Sequence, residues 1–114
     1  MEDRTPTAAA PLKRGLLAMH PGEFLREVTL PALKADQRIG QVDFAERLGI
    51  SRTMLVKLLN EKSAVSAEMA LRLGRVLNTT PEFWLNLQQA HDLARAAAAI
   101  GDQVRTLKPV PVAA

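Results

Sequence analysis

Between Arg52 and Lys62 the chain carries side chains whose types and spacing suit nucleic acid. On a helix that turns its leucines inward, the residues between the leucines face outward together. An arginine near the helix start can bind a guanine edge or a phosphate, a lysine binds phosphate, and the methyl groups of threonine and valine fit thymine. The residues predicted to bind DNA are Gln41, Ser51, Arg52, Thr53, Val56, Lys57, Asn60 and Lys62.

Two helices joined by a short turn would hold these side chains in place. A first helix is predicted over residues 41–48 from apolar side chains that recur every three residues, namely Val42, Ala45 and Leu48. Gly49 suits a left-handed helix end, Ile50 should pack between the helices, and Ser51 suits the N-cap of a second helix ending near Asn60. A helical hairpin with a solvated polar face is the alternative. The glycine turn instead favours a helix-turn-helix whose second helix enters the major groove.

The rest of the chain is predicted to be helical, which makes the fold class all-α with five helices. His20-Pro21-Gly22-Glu23 has the form of a helix start, and Pro31 is expected to end or break that helix. The polar residues 34–40 are expected to form a loop. Ser66 should cap a further helix, which Asn78 closes.

A long last helix is predicted to begin at Thr80-Pro81-Glu82 and to end at Gly101. Residues 12–19 fit either a short strand or an extended arm. The predicted organisation is a flexible tail over residues 1–13, a helix-turn-helix domain over 14–105 and a second flexible tail over 106–114.

Composition excludes several other classes of protein. The 114 residues suffice for one domain, the net charge of +3 is compatible with nucleic acid, and the lack of cysteine fits the cytoplasm. No apolar run is long enough for a membrane span. His20 and His91 have no metal-ligand pattern around them, and acidic pairs such as Glu23 with Glu27 fit solvated helix faces. We expect no enzyme activity, no metal and no cofactor.

The last helix carries two further sets of apolar residues. Phe83 and Trp84 fit a hydrophobic core better than a ligand or partner anchor. An apolar stripe on the same helix continues beyond what one small core needs and predicts a symmetric homodimer. The stripe would also be covered if another protein docked there, or if the helix folded back on its own domain. The residues of this predicted dimer interface are Leu87, Ala90, Ala94 and Ala97.

Three stretches of the sequence together resemble the HigA-type antitoxins, a branch of the Cro/repressor-like (XRE) helix-turn-helix family. The first is His20-Pro21-Gly22-Glu23-Phe24-Leu25-Arg26-Glu27, the second runs from residue 45 to 60, and the third covers residues 68–73 and 80–88. The resemblance implies an antitoxin that neutralises a RelE-like mRNA-endonuclease toxin of the HigB type. It also implies a dimer that binds double-stranded operator DNA and represses its own operon.

Two other functions fit the same residues. One is a stand-alone repressor without a toxin. The other is an interaction module that has lost DNA binding, because family members often carry Gln, Thr and Ser where Thr53, Met54 and Val56 stand here. They also often carry Gly at the position of Glu61, which here adds an acid near the phosphates. The predicted 34–40 loop is also longer than is usual in the family.

Overall fold

The structure is a computed structural model that describes residues 19–111. The predicted tail over 1–13 and nearly all of the 12–19 segment lie outside these residues. Within 19–111 there is no strand, so the predicted all-α class is confirmed, and the helix-turn-helix architecture is as expected. The segments are α1 (Pro21–Phe24), a π-helical turn (Leu25–Thr29), α2 (Leu30–Gln37), α3 (Gln41–Leu48), α4 (Arg52–Leu59), α5 (Ala67–Leu77) and α6 (Pro81–Arg105).

The helix formed by α1, the π-helical turn and α2 is continuous, so the prediction that Pro31 ends it is wrong. The N–H of Leu30 bonds to the carbonyl of Leu25, five residues back. This wider turn directly precedes Pro31 and accommodates its ring, which an uninterrupted α-helix would press against a carbonyl. The helix continues to Gln37, and the connection to α3 is limited to Arg38–Gly40, so residues 34–37 are not the loop that was predicted.

Helices α1 to α6 enclose one core, in which Leu25, Phe44, Leu55, Leu73 and Trp84 are fully buried. Trp84 thus lies in the core as predicted, and its Nε1 donates to Thr79 Oγ1 at 2.8 Å.

Val42 does not belong to this core. Its side chain is 54% exposed, whereas Phe44 is 0% exposed. A step of three residues falls about 60° short of a full helical turn. Val42 lies two such steps before Leu48, so the two side chains are about 120° apart around α3. The buried face of α3 therefore consists of Phe44, Ala45 and Leu48.

Helix α6 extends well beyond the core and through Gly101, where it was predicted to end. Thr80 caps its start by accepting from the N–H of Phe83, and the helix runs to Arg105. The preceding alanines favour helix, and Asp102 pairs with Arg105 across the next turn, so Gly101 does not end it. Leu87 is the last large apolar side chain of α6 in the core, with 5% exposure.

Candidate nucleic-acid interface

The turn between α3 and α4 has the geometry that the sequence predicted. Gly49 adopts a φ of 72°, in the left-handed region, and the N–H of Ile50 bonds to the carbonyl of Ala45 at 3.1 Å. Ser51 caps α4, because its Oγ accepts from the N–H of Met54 at 3.1 Å. The turn therefore ends one helix and begins the next within three residues.

Arg72 of α5 fixes this turn from outside. Its Nη1 donates to the carbonyl of Leu48 at 2.8 Å and to that of Gly49 at 3.4 Å, and its Nη2 pairs with Glu68 at 3.0 Å. A Cβ atom on Gly49 would lie 2.8 Å from Arg72 Nη1. Glycine is thus favoured here by the left-handed backbone, and a side chain at this position would also displace the guanidinium of Arg72.

The inner face of α4 is anchored by Leu55, Leu58 and Leu59, which are almost completely buried. Helix α1 packs directly on the backbone of α4 through Gly22, where a Cβ atom would lie only 1.8 Å from the carbonyl oxygen of Leu58. The glycine of the His-Pro-Gly-Glu motif therefore allows α1 and α4 to touch.

Gly22→Ala is expected to lower the free energy of unfolding by about 2 to 3 kcal/mol, because the added methyl has no space unless α1 and α4 separate. Chemical denaturation measures the change. Gly40→Ala is the matched control, since no atom lies within 4 Å of a Cβ built there. Equal stability of the two variants would show that the contact between α1 and α4 contributes little.

The outer face of α4 carries most of the residues that were predicted to bind DNA. Arg52, Thr53, Lys57 and Asn60 are exposed, and Val56 is half-buried. The other three predicted residues lie outside α4 and are exposed: Gln41 at the start of α3, Ser51 at the N-cap of α4, and Lys62 in the connection after α4.

Several residues that shape this surface were not predicted. Met54 is 49% exposed and, with Ser66 and Met69, borders two shallow hollows between α4 and the start of α5. Its position three residues before Lys57 on the same helix was a usable signal. Arg72 and Gln88 gave no such signal, because they bind backbone 24 and 23 residues away in the sequence.

The connection after α4 is tied to the C-terminal helix. Gln88, although polar, is buried, and its Oε1 accepts from the N–H of Val65 at 2.8 Å. Its Nε2 donates to Asp92 at 3.0 Å. A satisfied buried amide of this kind holds its partner in one place. The segment between α4 and α5 therefore has a fixed position relative to α6.

His20 and His91, distant in the sequence, meet beside this connection. Their ring centroids lie 5.0 Å apart and their planes are nearly perpendicular. His20 caps α1, because its Nδ1 accepts from the N–H of Gly22 at 2.8 Å. Burial, and after it the charge of His91, lowers the pKa of His20, while Glu61, Asp92 and the backbone of Ser63 oppose that shift.

The free energy of unfolding is expected to decrease as the pH falls below 6.5, the ordinary pKa of histidine. A pKa lowered in the folded state means that the unfolded chain binds the proton more tightly, so the stability present above 6.5 is lost as the pH falls through the folded pKa. Urea denaturation between about pH 5 and pH 8 measures this loss. His20→Asn keeps a capping acceptor that does not titrate. If the stability of this variant depends on pH as steeply as that of the original chain, His20 is not the cause of the loss.

Among residues 19–111, no group of three or more His, Cys, Asp or Glu side chains is placed to hold a metal ion. None of the helices in the same range is long and apolar enough to cross a membrane.

Known proteins share both the sequence and this geometry. An uncharacterized HTH-type transcriptional regulator of Haemophilus influenzae is 40% identical over 72 residues, which are 63% of this chain and 64% of that protein. Antitoxin HigA-1 of Vibrio cholerae is 35% identical over 66 residues, 58% of this chain and 62% of that protein. The chain therefore spans less than two thirds of the length of these curated relatives.

Among solved structures, the Pseudomonas aeruginosa antitoxin HigA, determined with the higBA promoter, superposes with a TM-score of 0.70 at 35% identity. The match covers 82% of this chain and 99% of that one.

An exposed helix that follows a glycine turn and is anchored by an inner row of leucines defines the helix-turn-helix class of DNA-binding proteins. The sequence pattern of the family described as Helix-turn-helix matches residues 37–84, which include α3, α4 and α5. Within that class, the chain belongs to the branch that includes the HigA antitoxins. The family consists of DNA-binding regulators and antitoxins and not of enzymes.

Proposed function

We propose that the chain is a sequence-specific DNA-binding antitoxin, which represses its own operon and neutralises a RelE-like mRNA-endonuclease toxin of the HigB type in the cytoplasm. The observation that carries the DNA-binding part is the outer face of α4, where Arg52, Thr53, Lys57 and Asn60 are exposed together. No carboxylate lies between Arg52 and Asn60, so nothing on this face of α4 repels phosphate.

In this proposal α4 enters the major groove. Arg52, on the first turn, binds a guanine edge or a phosphate, and Thr53 and Val56 contact thymine methyl groups. Lys57 and Lys62 bind phosphate and, with Gln41 at the start of α3, set the position of α4 along the groove. The solved structures of HigA with the higBA promoter and of the antitoxin GraA with its operator support operator DNA as the ligand.

Arg52→Ala is expected to weaken binding to the promoter of the chain's own operon by about tenfold, the effect of losing one bidentate base contact of about 1 to 3 kcal/mol. Fluorescence anisotropy with a labelled promoter duplex gives the affinity, and footprinting gives the site. Arg75→Ala on α5 is the control, an exposed arginine outside the proposed face. Unchanged affinity of Arg52→Ala would remove the role assigned to Arg52, and the absence of any footprint would remove the DNA-binding function.

The toxin part of the proposal rests on membership of the antitoxin branch and has its own test. Co-expression of this chain with the product of the adjacent gene should restore growth that the second product alone arrests, and the two proteins should co-purify. The Haemophilus relative, which is named a transcriptional regulator, favours the alternative of a stand-alone repressor. An intact footprint without growth rescue or co-purification would establish that alternative.

We also propose that the chain acts as a homodimer through the projecting part of α6, which is the part of the helix that follows Leu87. The predicted interface needs one change, because Leu87 lies in the core of its own protomer. The helical repeat places Ala90 and Ala97 beside the exposed Leu93, Ile100 and Val104, on a face directed away from the core.

Ala94 lies at the edge of this face. Small residues beside large apolar ones allow two helices to approach closely, and a second copy presents the same face about a two-fold axis. A twofold-symmetric operator fits such a dimer.

A further inference from the structure

The last turn of α4 ends in a motif that suits glycine but contains an acid. The N–H of Lys62 bonds to the carbonyl of Lys57 at 2.8 Å, and the N–H of Glu61 bonds to that of Leu58 at 3.0 Å. This pair of bonds is the Schellman motif, which requires a left-handed residue between helix and exit. Glu61 occupies that position with a φ of 61°.

The carbonyl of Leu59, which this motif leaves without a partner, is bound by an arginine from another helix. Arg26 of the π-helical turn donates from Nη1 to Leu59 O at 2.6 Å. Its guanidinium also lies 3.4 Å from the carboxylate of Glu61, and its Nε donates to Glu27 at 3.0 Å. A single cation thus bridges the negative end of the α4 dipole and the carboxylate beside it.

The position of Glu61 gives this bridge a consequence for DNA. Glu61 is the only acidic residue between Arg52 and Lys62, and it stands between Asn60 and Lys62, both proposed to contact DNA. A carboxylate at this point that lacked a counter-charge would repel the phosphates that Lys62 attracts. With Arg26 in place, the charge of Glu61 is partly compensated on the side of the domain, because Glu27 shares the same guanidinium.

We propose that Arg26 is a positioning residue for DNA recognition: it holds the C-terminal end of α4 through Leu59 and compensates the charge of Glu61. Arg26 does not itself touch DNA. The inference rests on the proposed function, since it requires α4 to meet the duplex. It assigns a role in DNA binding to a residue 33 positions before Leu59 in the sequence.

A double-mutant cycle between positions 26 and 61 tests the proposal. Arg26→Ala removes the contacts with Leu59 O and Glu61, together with the pair to Glu27, and Arg26→Gln keeps a donor for Leu59 O while removing the charge. Binding to the promoter duplex is expected to weaken about tenfold for Arg26→Ala, which corresponds to about 1.4 kcal/mol. In a Glu61→Gln background the same change should weaken binding only about threefold, because the carboxylate beside Lys62 is no longer present. Arg75→Ala, which removes an exposed arginine of α5 outside the proposed DNA-binding face, is the control.

Salt dependence separates positioning from a general loss of structure. Misfolding would lower the affinity by the same factor at every salt concentration, whereas the contribution of Glu61 should shrink as salt screens its charge. If Arg26→Ala does not fold, Arg26→Gln runs through the same cycle. Equal weakening in both backgrounds, or binding within about twofold of the original chain, would overturn the role of Arg26. An original chain that binds no duplex at any salt would instead overturn the proposed function itself.

Discussion

The affinity of the chain for its operator is expected to fall about a thousandfold as the salt concentration rises from about 50 to about 200 mM. Arg52, Lys57 and Lys62 are exposed on or beside the outer face of α4. The proposed dimer would present this set twice. Each phosphate that they neutralise releases counterions, and that release becomes less favourable in salt.

Titrations of a labelled promoter duplex at several salt concentrations give the slope of log affinity against log salt. Lys57→Gln and Lys62→Gln should each reduce this slope by about one for every phosphate that the variant no longer neutralises. Lys108→Gln, beyond the end of α6, should leave the slope unchanged. A slope close to zero for the original chain would contradict phosphate binding by this face.

Charges placed on the exposed apolar face of α6 are expected to break the proposed dimer and to weaken operator binding by about a hundredfold or more, because two linked half-sites bind far more tightly than one. Ala97→Glu combined with Ile100→Glu puts two carboxylates on that face, where Ile100 is 46% exposed in the single chain. Sedimentation gives the mass, and anisotropy gives the operator affinity.

Ala98→Glu is the matched control for this pair. Ala98 is exposed on the same helix, but the helical repeat places it away from Leu93 and Ile100. The control should remain dimeric and bind the operator normally. A dimer that survives both glutamates would place the interface elsewhere, and a chain that is monomeric before any substitution would end the dimer proposal.

Sequence reasoning succeeded where a single residue determines local backbone geometry. Ser51, Ser66 and Thr80 cap helices by accepting from an N–H three residues on, and Gly49 and Asn78 adopt the left-handed conformation at helix ends. These interactions involve near neighbours, so the sequence displays them directly.

Sequence reasoning failed where distant segments or an irregular turn decide the outcome. Pro31 was expected to end a helix, but a π-helical turn directly before it lets the helix continue. Arg26 binds the carbonyl of Leu59 at the C-terminal end of α4, and Arg72 binds the carbonyl of Leu48, where α3 ends and the turn to α4 begins. Both arginines come from helices far away in the sequence, and no local pattern marks either of them. The contacts of these two arginines with the backbone at and before α4 are therefore visible only in the three-dimensional structure.

The projecting part of α6 also has a consequence for the rate at which the protein would be degraded in a cell. Beyond His91 nearly every side chain of this helix is exposed, so its last turns can unwind without opening the core. A protease that captures the unwound form could cut there. The helix-turn-helix would then remain folded but would lack the exposed apolar face of α6 proposed for dimerisation. Dimerisation would cover the same turns and slow that cleavage. Turnover would then depend on concentration, with scarce protein degraded faster than abundant protein.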